Sequence, residues 1–121
     1  MRWIKRSLLL VLCLTGLLLA ACNKDVPAQP ALEMRILAQD IKFDVKTLTA
    51  KVGQPVKLTY INQGSIDHAF KIDGIVNEHK VKPGETHVFQ FTPSKAGQFK
   101  FVCAMPGHEP AGMVGTLVVD P

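Results

Sequence analysis

Short segments in which apolar and polar residues alternate are the feature that most limits how this chain can fold. Turn residues such as Gly53-Gln54-Pro55 and Lys82-Pro83-Gly84 separate them. The clearest segments are residues 56–60, 86–91, 99–103 and 113–119. A period of two residues is typical of strands that bury one face, and no segment shows a long helical period with caps. The pattern therefore predicts an all-β fold, an antiparallel β-sandwich. Residues 73–80 lack the alternation, and we expect a short helix or an irregular stretch there.

Size and charge narrow the class of protein. The chain has 121 residues, which suits one domain rather than two. Its formal charge is +4, but the basic residues Arg2, Lys5 and Arg6 lie in an N-terminal segment that we expect to be removed. The remainder is nearly neutral, whereas nucleic-acid binding requires a concentrated basic face. We therefore expect no nucleic-acid partner.

The N-terminus has the organisation of a secretory signal. A basic start precedes the apolar run 7–19, which is shorter than the roughly 20 residues that cross a bilayer. The sequence Leu19-Ala20-Ala21-Cys22 resembles the bacterial lipobox, in which the cysteine is acylated and becomes the mature N-terminus. An ordinary signal peptide or an uncleaved anchor are the alternatives. All three place the domain outside the cytoplasmic membrane.

These observations predict the organisation of the chain. Residues 1–21 are a signal peptide of the lipoprotein type, and Cys22 is the lipidation site. Residues 22–33 are polar and contain two prolines, so we expect a flexible tether. Residues 34–121 form the folded domain. The protein would then be lipid-anchored in a bacterial cell envelope, facing the periplasm or the exterior.

The predicted processing leaves one thiol. Cys13 would leave with the signal and Cys22 would carry lipid, so Cys103 could form no disulfide within the chain. A single cysteine in an oxidising compartment is a liability unless it is buried, reactive or metal-bound. His108 and Met113 follow Cys103 at five-residue steps. A second histidine, His68, begins another strand-like segment.

Side-chain parity brings these residues together. Residues two apart along a strand face the same way, so each candidate shares a face with large apolar residues. The pairings are His68 with Phe70 and Ile72, Cys103 with Phe99 and Phe101, and Met113 with Leu117 and Val119. These three side chains should therefore point inward at one end of the sandwich. The turn at Pro106-Gly107 should bring His108 back over them.

A thiolate, two imidazoles and a weak thioether favour copper that cycles between Cu(I) and Cu(II). A trigonal plane of two histidines and one cysteine with a long axial methionine is the blue-copper arrangement. The sequence therefore predicts a metal site at His68, Cys103, His108 and Met113. We expect His79 and His87 to be surface or strand-edge residues, because nothing else converges on them.

The segment from Cys103 to Met113 resembles the ligand loop of cupredoxins such as auracyanin, sulfocyanin and plastocyanin. The resemblance covers the domain from about Met34, and it implies a Greek-key β-sandwich with one type 1 copper. It implies electron transfer with redox protein partners, among which we expect a membrane-bound cytochrome or oxidase complex. We also expect the protein to be a monomer and not an enzyme. Many cupredoxins carry asparagine after the first histidine, where its side chain braces the ligand loop. Here that position is Ala69.

The same residues bear on other copper functions. A binuclear site like that of the cytochrome oxidase second subunit needs a second cysteine four residues after Cys103, and that position is Gly107. Copper enzymes with this fold need further sites built from His-x-His pairs or neighbouring domains, and the sequence contains no such pair. A periplasmic copper chaperone or storage protein is the alternative that stays open. It would favour exposed methionine or histidine clusters.

Overall fold

The computed structural model describes residues 28–121, which form two packed β-sheets. Within these residues no helix is long and apolar enough to cross a membrane. The predicted signal peptide, the lipidation at Cys22 and most of the predicted tether lie outside the described residues. The strands are β1 (Leu32–Gln39), β2 (Lys42–Phe43), β3 (Thr47–Lys51), β4 (Val56–Asn62), β5 (His68–Ile72), β6 (Val76–Val81), β7 (Thr86–Phe91), β8 (Gly97–Cys103) and β9 (Val114–Asp120).

The strands form a sheet of order β2-β1-β4-β7 and a sheet of order β3-β9-β8-β5-β6. The predicted all-β sandwich is confirmed. Most of its strand pairs are antiparallel, and two pairs, β1 with β4 and β3 with β9, are parallel. The chain crosses to the second sheet at β3 and returns at β4. It therefore re-enters the first sheet running in the same direction as β1.

Two element boundaries differ from the sequence expectation. Strand β1 begins at Leu32, inside the predicted tether, because Leu32 pairs with Val56 of β4. Strand β6 occupies the stretch expected to be helical or irregular. It lies at the edge of its sheet, and most of its side chains are exposed. A strand that is solvated on both faces shows no alternation for the sequence to reveal.

The core lies between the sheets and is rich in aromatic rings. Along β4, every second residue from Val56 to Asn62 is buried, as the alternation predicts. The ring of Phe70 lies 4.7 Å from that of Tyr60 and 6.2 Å from that of Phe101, measured between centroids. Such tilted aromatic pairs add to the stabilisation that burial provides. This packing fixes the strand ends that carry the candidate site.

Candidate metal centre

The structure brings the predicted metal-binding residues to one end of the sandwich. His68 is the first residue of β5 and Cys103 is the last residue of β8. These strands are antiparallel neighbours in which Phe70 pairs with Cys103, so the two ends meet. His108 lies in the connection between β8 and β9, and Met113 immediately precedes β9. The inward parity expected for His68, Cys103 and Met113 is confirmed, because all three are fully buried.

The thiol of Cys103 lies between the two imidazoles. Its Sγ is 3.6 Å from His68 Nδ1 and 3.3 Å from His108 Nδ1. One ligand atom from each of the three residues lies within 4.8 Å of the others. His108 is the most exposed of the three, at 9%. A single metal ion can therefore contact one sulfur and two nitrogens here.

Backbone hydrogen bonds close the loop that carries His108 and Met113. The Met113 N–H donates to the His108 carbonyl at 3.0 Å, and the Cys103 N–H donates to the Met113 carbonyl at 3.1 Å. The backbone of Met113 is therefore tied to two of the other candidate ligands. The side chain of Met113 is fully buried in the core cluster.

The predicted turn at Pro106-Gly107 is present. The His108 N–H donates to the Met105 carbonyl at 3.1 Å, which closes a four-residue turn. Gly107 has φ 83° at the third position, a conformation that glycine adopts without steric cost. Proline suits the second position of such a turn because its φ is fixed near the required value. The turn directs His108 back toward Cys103.

The backbone of Ala69 holds the sulfur from the side of β5. The Ala69 N–H donates to Cys103 Sγ at 3.3 Å, and the Ala69 carbonyl accepts from the Ala104 N–H at 2.6 Å. The methyl side chain of Ala69 offers no further hydrogen bond. The bracing that an asparagine would give at this position must therefore come from other residues.

The protonation of His68 favours metal binding. Burial lowers the pKa of His68, the nearby His108 lowers it further, and Asp67 opposes both effects. The neutral imidazole, which is the form that binds a metal, is thereby favoured. His68 Nε2 is buried without a hydrogen-bond partner among the described residues. A metal bound through Nδ1 would require the proton of the neutral ring to be on Nε2.

Asn62 is a structural residue of the site that the sequence reasoning missed. It is fully buried, and its Nδ2 donates to the carbonyls of Ile66 and Val81 at 2.8 and 2.9 Å. Its Oδ1 accepts from the Gly64 N–H at 2.9 Å. These bonds hold the chain that leads into His68. A polar residue at an inward position of an alternating strand was the signal that could have identified it.

Two lysines contact the ligand loop and were also missed. Lys46 donates from Nζ to the carbonyls of Gly112 and Val114, and Lys100 pairs with Glu109 at 2.5 Å. The hydrogen bond and the charge of Glu109 raise the pKa of Lys100. No sequence signal could have revealed the Lys46 contacts, because that residue is far from the loop along the chain.

The remaining histidines lie elsewhere, as predicted. His79 is exposed, and its ring lies 5.2 Å from that of Phe89. His87 is half-buried, with Nε2 3.5 Å from a carboxylate oxygen of Glu85. Met105 is partly buried against the core cluster.

Comparison with known proteins places the chain in a family. The family model of the cupredoxin-like domain matches residues 9–119. The chain belongs to this family. The arrangement of His68, Cys103, His108 and Met113 is that of a type 1 copper site, and copper is the cofactor of this cupredoxin.

The curated relatives of this cupredoxin domain include two copper-resistant cuproproteins CopI. The protein from Rubrivivax gelatinosus is 32% identical over 106 residues, which cover 69% of this chain and 63% of the relative. The protein from Vibrio cholerae serotype O1 is 29% identical over 103 residues, which cover 68% of this chain and 61% of the relative. The chain thus spans less than two thirds of the length of either relative.

Solved structures share the cupredoxin fold. Reduced auracyanin from Roseiflexus castenholzii gives a TM-score of 0.67 at 21% identity, covering 76% of this chain and all of that one. The blue copper oxidase from Nitrosomonas europaea also gives 0.67, at 19% identity, covering 74% of this chain and 38% of that one. At these identities the likeness shows the fold alone.

Proposed function

We propose that this protein is a type 1 copper protein that carries single electrons between redox partners outside the cytoplasmic membrane. The donors that would hold the copper are Nδ1 of His68, Sγ of Cys103 and Nδ1 of His108, with the thioether of Met113 as a further, weaker donor. The observation that carries the proposal is the fully buried Cys103 thiol, whose sulfur lies 3.6 and 3.3 Å from the two imidazole nitrogens.

Copper bound at these residues would supply one-electron exchange between Cu(I) and Cu(II). The protein supports this exchange by fixing the donors. His68 begins and Cys103 ends a strand that is packed into the sandwich. Backbone hydrogen bonds connect Met113 to His108 and Cys103. Donors that move little between oxidation states keep the structural cost of electron transfer low. The aromatic core beneath the site excludes water, which also influences the reduction potential.

His108 is the proposed point of electron exit. It is the most exposed of the three clustered donors, and the residues near it along the loop form what we call the collar, which is mostly apolar: Met105, Pro106, Pro110 and Ala111. Such a surface suits brief contact with a redox protein partner, for which a membrane-bound cytochrome or oxidase complex is the class that we propose. Lipid on Cys22 would hold the carrier at the envelope membrane. We propose that it acts as a monomer.

We propose that the chain is not an enzyme. The blue copper oxidase that shares its fold is matched over 38% of that protein's length, so the likeness is to a part of the oxidase. A carrier needs only one metal site and a docking surface.

Copper handling is the second candidate function, because the curated relatives are named copper-resistant cuproproteins. A chaperone or storage protein in the periplasm must release its metal, whereas a carrier retains it through both oxidation states. The burial of His68 and Cys103 favours retention.

A retention experiment separates the two functions. The copper-loaded protein is reduced and reoxidised repeatedly in the presence of a Cu(I) chelator. The complex of the chelator with Cu(I) absorbs visible light, so transfer of copper can be followed. We expect the protein to keep its copper and its colour over many cycles. Transfer of copper to the chelator during the first reduction would favour the handling function instead.

A further inference from the structure

Lys46 reaches the backbone on both sides of Met113. It lies in the connection between β2 and β3, and its Nζ donates to the Gly112 carbonyl at 2.7 Å and to the Val114 carbonyl at 3.2 Å. Its own carbonyl accepts from the Thr116 N–H at 2.9 Å. The side chain and the backbone of Lys46 are therefore both attached to the chain around the start of β9.

Lys46 holds the peptide group that joins Gly112 to Met113 and the peptide group that joins Val114 to Gly115. Gly112 has φ 97°, in a region open to glycine and rarely adopted by other residues. The side chain of Ala69 cannot brace the loop as an asparagine would. An ammonium group makes charge-assisted hydrogen bonds, which are stronger than those between neutral groups.

From this geometry we propose that Lys46 is a positioning residue for the axial ligand. Its ammonium group clamps the carbonyls of Gly112 and Val114, the residues on either side of Met113, and would thereby restrict where the thioether lies in the copper-loaded protein. The inference rests on the proposed function only in taking Met113 as the axial donor. The clamp itself is a property of the polypeptide and can be measured without copper.

Lys100 provides a matched control. It is also an exposed lysine that contacts the ligand loop, as Lys46 is, but its partner is the side chain of Glu109. Replacing either lysine with methionine removes one positive charge and keeps a long side chain. Only Lys46→Met releases the carbonyls beside Met113.

The first measurement is amide hydrogen exchange of the metal-free full chain. The Met113 and Cys103 amides donate to His108 and Met113 respectively, so their exchange reports on this part of the loop. In Lys46→Met we expect both amides to exchange about fivefold faster than in Lys100→Met. A factor of about five corresponds to the free energy of one typical hydrogen bond. Equal exchange in the two variants would overturn the clamp. Lys46→Gln is too short to bridge both carbonyls, and it serves as a second variant if Lys46→Met is poorly produced.

The second measurement is the reduction potential of the copper-loaded full chain, in the natural and the Met113→Leu backgrounds. If Lys46 acts by positioning the thioether, Lys46→Met should shift the potential in the natural background and much less in Met113→Leu. A shift of equal size in both backgrounds would mean that Lys46 acts only through its charge, and it would overturn the proposal. The absence of any shift would also overturn it. If the chain forms no coloured copper complex, the proposed function fails, while the exchange experiment still decides the clamp.

Discussion

The Ala69 N–H donates a hydrogen bond to Cys103 Sγ across 3.3 Å, which joins the start of β5 to the end of β8. The donor belongs to the backbone, so the position of the sulfur depends on the register of these two strands. Phe70 pairs with Cys103 in that register, and its ring is part of the aromatic core. The position of the sulfur is therefore linked to the packing of the sandwich.

Replacing Met113 with leucine should raise the reduction potential while the protein stays coloured. An axial thioether is a weak donor that favours Cu(II), and the two imidazoles and the thiolate still hold the metal when it is lost. The change in volume is small, so the free energy of unfolding should fall by less than about 1.5 kcal/mol. A redox titration measures the effect. An unchanged or lower potential would mean that Met113 serves only to pack the core.

Placing a charge in the collar around His108 should slow electron exchange. Met105→Lys puts an ammonium group into a surface that a partner must desolvate, and Met105 is not one of the proposed ligands. Val88→Lys is the matched control, because Val88 is 50% exposed on β7, away from the ligand loop. Stopped-flow kinetics with a redox partner should show a lower rate for Met105→Lys alone. Equal rates for the two variants would place the docking surface elsewhere.

The metal-free protein should lose stability as the pH falls below about 6.5. Burial lowers the pKa of His68 in the folded chain, whereas an unfolded histidine keeps its ordinary value of 6.5. Between the folded and the unfolded pKa the unfolded chain binds more protons, so acid favours unfolding. The stabilisation is complete above the pKa that His68 has in the unfolded chain. It is lost as the pH falls to the lower pKa that His68 has in the folded chain.

Urea unfolding of the metal-free chain at several pH values measures this dependence. The free energy of unfolding should fall more steeply with acid in the natural protein than in His68→Gln, which cannot titrate. His87→Gln is the comparison variant at a half-buried histidine outside the site. If His68→Gln shows the same slope as the natural protein, the protonation occurs at another group.

Adding a methyl group at Gly115 should destabilise the sandwich. A Cβ built there would overlap with the ring of Phe101, which is fully buried and has little room to move. Overpacking of this kind costs about 1–3 kcal/mol. Because the clash is with one ring, Phe101→Leu should relieve it. The double variant should then be more stable than the sum of the two single effects implies, as denaturant unfolding can show.

The candidate site was predictable because its signals are local. Parity along single strands directs His68 and Cys103 inward, and the Pro106-Gly107 pair defines one turn. These features depend on neighbours within a few residues. The sequence pattern therefore indicated both the strands and the end of the sandwich at which the donors meet.

The parts that escaped prediction depend on contacts across the fold. The parallel pairing of β1 with β4 follows from the crossing between sheets, which a period of two residues does not encode. The clamp from Lys46 joins residues that are distant along the chain. Asn62 was identifiable in principle, as a polar residue in an inward position, but its bond to the Val81 carbonyl exists only once β6 is in place.

The absorption spectrum of the protein loaded with Cu(II) tests the central claim most directly. A thiolate bound to Cu(II) in the type 1 arrangement gives an intense blue or green colour by charge transfer. We expect the natural protein and Cys22→Ser, which lacks the predicted lipidation site, to be coloured. Cys103→Ser should be colourless while its circular dichroism still shows the β-sandwich. Intense colour in Cys103→Ser, or none in the natural protein, would contradict the assignment of this site.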